Sequence, residues 1–115
     1  DDFEPTIRII RNLLRQIGFT AIDGAANGIE ALEKLRAREY GLVISDWNME
    51  PMNGLKLLHN VRTDKKLSMI PFIMVTAESK TENVVNAKKL GVNNYIIKPF
   101  DKETLQRKID AVFAN

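Results

Sequence analysis

The chain has 115 residues, 44% of them hydrophobic and 28% charged, with a formal net charge of +2; this suits one compact domain with a single core. It contains no cysteine, which excludes a disulfide framework, a thiolate metal site and thiol redox chemistry, and suits a reducing compartment. No apolar run approaches the length of a membrane span, and the near-balanced charge argues a mixed surface, not a nucleic-acid-binding or membrane-binding face.

In chain order, Ile7, Ile10, Leu14 and Ile17 recur at helical spacing, Gly18 closes the helix, and Pro5 fits its first turn. Phe19–Asp23 reads as a short strand, and Gly24–Asn27 turn the chain. Gly28–Arg38 is a second helix with Ile29, Leu32 and Leu35 inward. Leu42 to Asp46 follows as an apolar strand that ends in a carboxylate, then a loop over Trp47–Asn53. Gly54–Thr63 is a third helix with Leu55, Leu58, Val61 and Leu57 inward. Ile70–Thr76 is a second fully apolar strand, with Pro71 only at its start, where proline is tolerated. Glu82–Leu90 reads as a helix closed by Gly91, Asn94–Lys98 as a last strand broken by Pro99, and Asp101 as the cap of a final helix carrying Leu105, Ile109, Val112 and Phe113 inward.

Strands and helices thus alternate, and the strands are apolar without period-two patterning. That combination predicts a parallel sheet covered by helices on both faces. The pattern begins with a helix, so Asp1 and Asp2 are expected to follow a strand whose body lies before residue 1.

In such a sheet, chemistry sits at the carboxyl ends of the strands. Asp1/Asp2, Asp46, Thr76 and Lys98 all fall at strand ends or just past them. Carboxylates gathered in one cleft repel one another unless a cation or protons intervene. Oxygen donors without histidine or cysteine favour a hard ion, Mg²⁺ or Mn²⁺. A lysine supplies a point charge for an incoming phosphoryl group, and a threonine supplies a hydroxyl. Together these are parts for phosphoryl transfer onto an aspartate.

Asp1-Asp2, Asp46, Met52-Asn53-Gly54, Thr76-Ala77 and Lys98-Pro99-Phe100 resemble, in this order and spacing, the receiver domain of two-component response regulators, over nearly the whole chain. Within that family, Asn12-Leu13-Leu14, Ile44 to Met49 and Met74 to Glu78 are most similar to the single-domain chemotaxis regulators. The resemblance implies an α/β, flavodoxin-like doubly wound parallel sheet of order 2-1-3-4-5. Residues 1–115 would form one receiver domain lacking its N-terminal strand.

The resemblance also implies roles. Asp46 would accept phosphate, with Lys98 and Thr76 completing the catalytic set. Mg²⁺ would be held by Asp1, Asp2, Asp46 and the main-chain carbonyl of Asn48. Thr76 and Tyr95 would form the switch, and Asn48 and Glu78 would tune dephosphorylation. The partners implied are a chemotaxis-type histidine kinase, a flagellar motor switch protein or other protein target, and a phosphatase, in the cytoplasm and without nucleic acid. Such a protein is a signalling phosphoacceptor, catalysing only its own phosphorylation and dephosphorylation. The alternative is a phosphate sink or adaptor without a motor target. With nothing after Asn115, output is expected through protein–protein contact.

The sequence departs from the family in one loop. Glu50 stands where proline usually follows the loop methionine, and Pro51 comes one residue later. Other residues carry plainer expectations. His59 should lie on the surface, Met49, Met52, Met69 and Met74 should serve packing, and Trp47 should cover a core edge. Arg8, Arg11 and Arg15 line one helix face, read first as solvated and second as a docking surface for an acidic partner. A small aspartyl-phosphate hydrolase is disfavoured because Asn48, not a second acid, lies two residues after Asp46. A flavin carrier is disfavoured by the lack of a hydroxyl-rich phosphate loop.

Overall fold

A computed structural model describes residues 3–46, 52, 54–76, 88–89, 91–98 and 100–113, the side chains from Ile7 onward. In chain order these give α1 (Phe3–Ile17), α2 (Gly28–Ala37), β1 (Val43–Asp46), α3 (Gly54–Thr63), β2 (Phe72–Thr76), β3 (Asn94–Ile97) and α4 (Lys102–Phe113). Lys88 and Lys89 are helical; the rest of the helix expected over Glu82–Leu90 lies outside the described residues.

The strands pair in parallel in the order β1-β2-β3, with Val43 opposite Phe72 and Ile73 opposite Asn94. All five β2 residues are buried, because β2 has a strand on each side and helices on both faces. Its side chains alternate between two cores, as strand geometry requires. Phe72 and Met74 point toward Leu32 and Leu35 of α2 and Leu57, Leu58 and Val61 of α3. Ile73 points the other way, joining Leu14 of α1, Ile96 of β3, and Leu105 and Ile109 of α4. The doubly wound layering expected from sequence is therefore present. Each fully buried aliphatic or aromatic side chain contributes roughly 1.5–3 kcal/mol of transfer free energy.

Local chemistry sets the helix ends. Gly18, at φ +127°, receives α1: its N–H donates to Arg15 O at 3.2 Å while Phe19 N donates to Leu14 O at 2.9 Å, a Schellman closure that glycine permits. Asn27 caps α2, its Oδ1 accepting from Glu30 N at 2.9 Å, and Glu30 returns a contact to Ala26 N at 3.1 Å. Asp101 Oδ1 accepts from Thr104 N at 2.8 Å and caps α4 as expected.

Four expectations need correction. Phe19–Asp23 forms no strand. A strand needs a neighbour to complete its ladder, and the backbone of this segment pairs with no strand among the described residues. The described sheet accordingly has three strands, matching the last three positions of the implied order. Ile29 is 47% exposed and Phe113 is 52% exposed: Ile29 lies on the first turn of α2 at the edge of the Leu32–Leu35 stripe, and Phe113 falls on the last turn, beyond the Leu105–Ile109 contact. Met69 is 89% exposed, in the turn before β2, and serves no packing. His59 is exposed as expected.

Candidate functional site

β1, β2 and β3 are parallel, so their carboxyl ends open on one rim. Asp46 ends β1 and Thr76 ends β2, both buried. Lys98 follows β3 directly and is locked to the rim by its own backbone, its N–H donating to Thr76 O at 2.8 Å. From there its side chain crosses to the first strand, and Nζ donates to Asp46 Oδ2 at 2.9 Å. Residues far apart in sequence thus meet because the parallel register sets Asp46 beside Val75 and Thr76 beside Ile97, so successive strand ends fall one residue apart.

The pair is lopsided in its exposure. The Asp46 side chain is 5% exposed and that of Lys98 29%. The carboxylate is held inside the rim while the ammonium reaches it from the solvent side. A carboxylate in this position has a cation already aimed at it. An incoming phosphoryl group would find Lys98 poised to share its negative oxygens and the Thr76 hydroxyl at the adjacent strand end. Tyr95 sits lower on β3, half-buried, with Lys108 Nζ of α4 over its ring at 5.3 Å.

Asp1, Asp2, Asn48 and Glu78 lie outside the described residues, as do Trp47, Met49 and the Glu50-Pro51 variation. Among the described residues no group of three or more His, Cys, Asp or Glu could hold a metal. Asp46 itself suits a hard cation, being a rim carboxylate, and the donor chemistry fits Mg²⁺ better than zinc: the chain has no cysteine, and its one histidine, His59, is exposed on α3.

Sequence reasoning missed the groups that hold the opposite, amino-terminal ends of β2 and β3. Arg62 of α3 donates to Gly91 O at 2.8 Å, to Ile70 O at 2.6 Å and to Asn93 Oδ1 at 2.8 Å. Asn93 Oδ1 also accepts from Phe72 N at 2.7 Å. A lone arginine at the end of a helix carries no sequence signal for this. Met52, in the loop after Asp46, packs on Gly28, where a Cβ would come within 2.9 Å of it. That contact joins Met52 to the start of α2.

The response regulator receiver domain family matches residues 1–110. The chain is 44% identical over 113 residues to chemotaxis protein CheY-3 of Vibrio cholerae, covering 98% of this chain and 87% of that protein. It is 43% identical to chemotaxis protein CheY of Pseudomonas aeruginosa, covering 98% and 91%. Among solved structures, CheY4 of Vibrio cholerae superposes with a TM-score of 0.89 at 30% identity, covering 97% of this chain and 92% of that one. A chain of the CheX–CheY–BeF3–Mg²⁺ complex from Borrelia burgdorferi superposes at 0.91 with 28% identity, covering 100% and 86%. No helix among the described residues is long and apolar enough to cross a membrane.

Proposed function

The chain belongs to the response regulator receiver domain family, and from that premise we propose that Asp46 is the phosphoacceptor of a chemotaxis-type two-component system. The observation that carries the reading is the Lys98 Nζ–Asp46 Oδ2 contact of 2.9 Å at the strand-end rim. A carboxylate oxygen of Asp46 attacks the phosphorus of a phosphohistidine on a histidine kinase. The P–N bond breaks, its electron pair stays on the imidazole, which takes up a proton, and an acyl phosphate forms on Asp46. Water later attacks that phosphorus, releasing inorganic phosphate and restoring the carboxylate.

Lys98 shifts from the carboxylate to the phosphoryl oxygens, and Thr76 donates its hydroxyl to the same group. Asp1, Asp2, Asp46 and the Asn48 carbonyl would hold Mg²⁺, which supplies charge neutralisation for the transferring phosphoryl group. Asn48 and Glu78 would tune dephosphorylation and so the lifetime of the phosphoryl group. As Thr76 moves, Tyr95 changes its packing against Lys108, and the surface formed by β3 and α4 changes with it. A two-state element separated by a few kcal/mol suffices for this, biased by the new charge.

Residues 1–115 act as one receiver domain. The names of the relatives support chemotaxis; the reading adds a flagellar motor switch protein as the cytoplasmic target and a phosphatase as a second partner. Incubation with acetyl phosphate and Mg²⁺ tests the acceptor. The wild-type chain is expected to gain an acid-stable, base-labile phosphoryl group and the Asp46→Asn variant none; labelling that persists in the variant sinks the assignment. Pull-down of the motor switch protein by the phosphorylated form separates motor control from a phosphate sink.

A further inference from the structure

The turn before β2, residues 64–70, carries cations on its outer side and is braced against the helices beside it. Asp64 Oδ2 accepts from Arg36 Nε at 3.1 Å, and Asp64 Oδ1 accepts from Lys66 N at 2.9 Å. Lys66 Nζ in turn donates to Arg36 O at 2.9 Å, so two crossing contacts join the turn to the end of α2. From α3, Arg62 Nη1 donates to Ser68 O at 3.3 Å and to Ile70 O at 2.6 Å. Leu67 is buried and pins the middle of the turn to the α2–α3 core.

Charge and apolar exposure meet on the outer side of this turn. Arg36, Lys65 and Lys66 are all exposed, with Arg62 half-buried behind them, and Asp64 is the one acid within this set of contacts. Arg36 gives only its Nε to Asp64, which leaves the terminal nitrogens of its guanidinium open to a carboxylate from outside. Met69 is 89% exposed, while Leu67 and Ile70 on either side are packed on the core. An adaptable thioether set among cations suits a partner, since the fold itself makes no use of it. The patch has no aromatic side chain to stack on a base and no amphipathic helix to lie in a bilayer. A short acidic segment with one apolar residue satisfies both kinds of group at once.

We propose that this turn and the end of α2 form a docking surface for an acidic segment of a protein partner, whose carboxylates meet Arg36, Lys65 and Lys66 and whose apolar side chain meets Met69. The surface lies at the amino-terminal end of β2. Thr76, at the carboxyl end, is the length of a five-residue strand away, roughly 15 Å. A partner bound there leaves the rim at Asp46 open. Docking is therefore independent of phosphorylation; it goes beyond the phosphoacceptor reading and does not rest on it.

The chain is titrated with the capped peptide Glu-Asp-Leu-Glu-Asp-Glu, and backbone amide shifts are followed residue by residue. Shifts are expected to concentrate at Lys65, Lys66 and Met69 and at the end of α2, with affinity falling about tenfold as salt rises from about 0.05 to 0.5 M. Lys65→Glu/Lys66→Glu should weaken binding about tenfold. Should that pair disturb the turn, Lys65→Glu alone decides, because the Lys65 side chain makes no contact among the described residues. Met69→Ser should weaken the leucine peptide about threefold and leave its counterpart with serine in place of leucine unchanged. Shifts spread over every surface lysine, full affinity in the charge-reversed variants, or an equal effect of Met69→Ser on both peptides would each overturn the proposal. Tighter binding to phosphatidylserine vesicles or to duplex DNA than to the peptide would overturn it in favour of a membrane or a nucleic acid. Peptide affinity that changes after incubation with acetyl phosphate and Mg²⁺ would overturn the independence from phosphorylation.

Discussion

Lys98 donates to Asp46 across 2.9 Å, and only the lysine of the pair reaches solvent, at 29% against 5% side-chain exposure. The two halves of the pair should therefore respond unequally to mutation. Lys98→Ala leaves a buried carboxylate without its cation, at a cost of about 1.5–3 kcal/mol. Asp46→Asn leaves a lysine that water can solvate and should cost less. Urea unfolding of both variants measures the difference, and equal losses would refute the asymmetry. In acetyl phosphate labelling both variants are expected to be impaired, Asp46→Asn completely and Lys98→Ala by loss of rate.

Thr76→Ala is expected to spare phosphorylation of Asp46 but to uncouple Tyr95. The threonine ends β2 beside the backbone of Lys98, while Tyr95 lies two residues before the end of β3 with Lys108 over its ring. In the wild-type chain the Tyr95 ring resonances should shift when Asp46 is phosphorylated, and in Thr76→Ala they should not. Equal shifts in both proteins would remove Thr76 from the switch.

Much of this was legible in the sequence because its causes are local or periodic. The β2 run from Phe72 to Thr76 announces a buried strand by being apolar throughout, and strand ends then place Asp46, Thr76 and Lys98 on one rim. Gly18 and Asp101 announce helix ends through backbone conformation and capping chemistry. Phe19–Asp23 misled because a strand depends on a neighbour, and its own residues cannot supply one. Ile29 and Phe113 misled because periodicity identifies a stripe without fixing its edges. Arg62 gave no warning at all, since its partners are mostly backbone carbonyls that any residue carries.

Gly18→Ala tests the closure of α1. At φ +127° the substitution is strained even though nothing lies within 4 Å of the new Cβ. The expected loss is about 1–3 kcal/mol, from backbone conformation alone. Gly41 also has open space for a Cβ but is not among the positive-φ glycines, so Gly41→Ala is the control and should change thermal stability little. Similar losses at both positions would assign the effect to something other than φ.

Acid should erode stability through three surface aspartates. The Tyr40 hydroxyl holds Asp23 below its ordinary 3.8, the Arg36 side chain does so for Asp64, and the Thr104 N–H for Asp101. Each has a depressed folded pKa, so its contribution is complete above the unfolded value and is lost as pH falls through the folded one. Melting temperature should be insensitive to these groups near neutrality and should fall below about pH 4. Asp101→Asn keeps a capping oxygen without the titration and should flatten part of that slope. On the alkaline side, Asp23 raises Tyr40 above 10.0, and that contribution persists until pH rises through the raised value.

Arg62 is the last test, because one side chain ties α3 to the amino-terminal ends of two strands. Its guanidinium serves Gly91 O, Ile70 O and Asn93 Oδ1 at 2.6–2.8 Å, and burial pulls its pKa below the usual value. Arg62→Ala removes charge-assisted bonds and strands part-buried carbonyls, a loss on the order of 3 kcal/mol. Arg62→Lys restores the charge but not the planar fork, so it should recover only part of that loss. Because Arg62 holds the ends of β2 and β3 away from the rim, phosphorylation of the folded fraction should proceed normally in both variants. A variant that unfolds no more readily than wild type, yet phosphorylates slowly, would instead make Arg62 a positioning residue for Lys98.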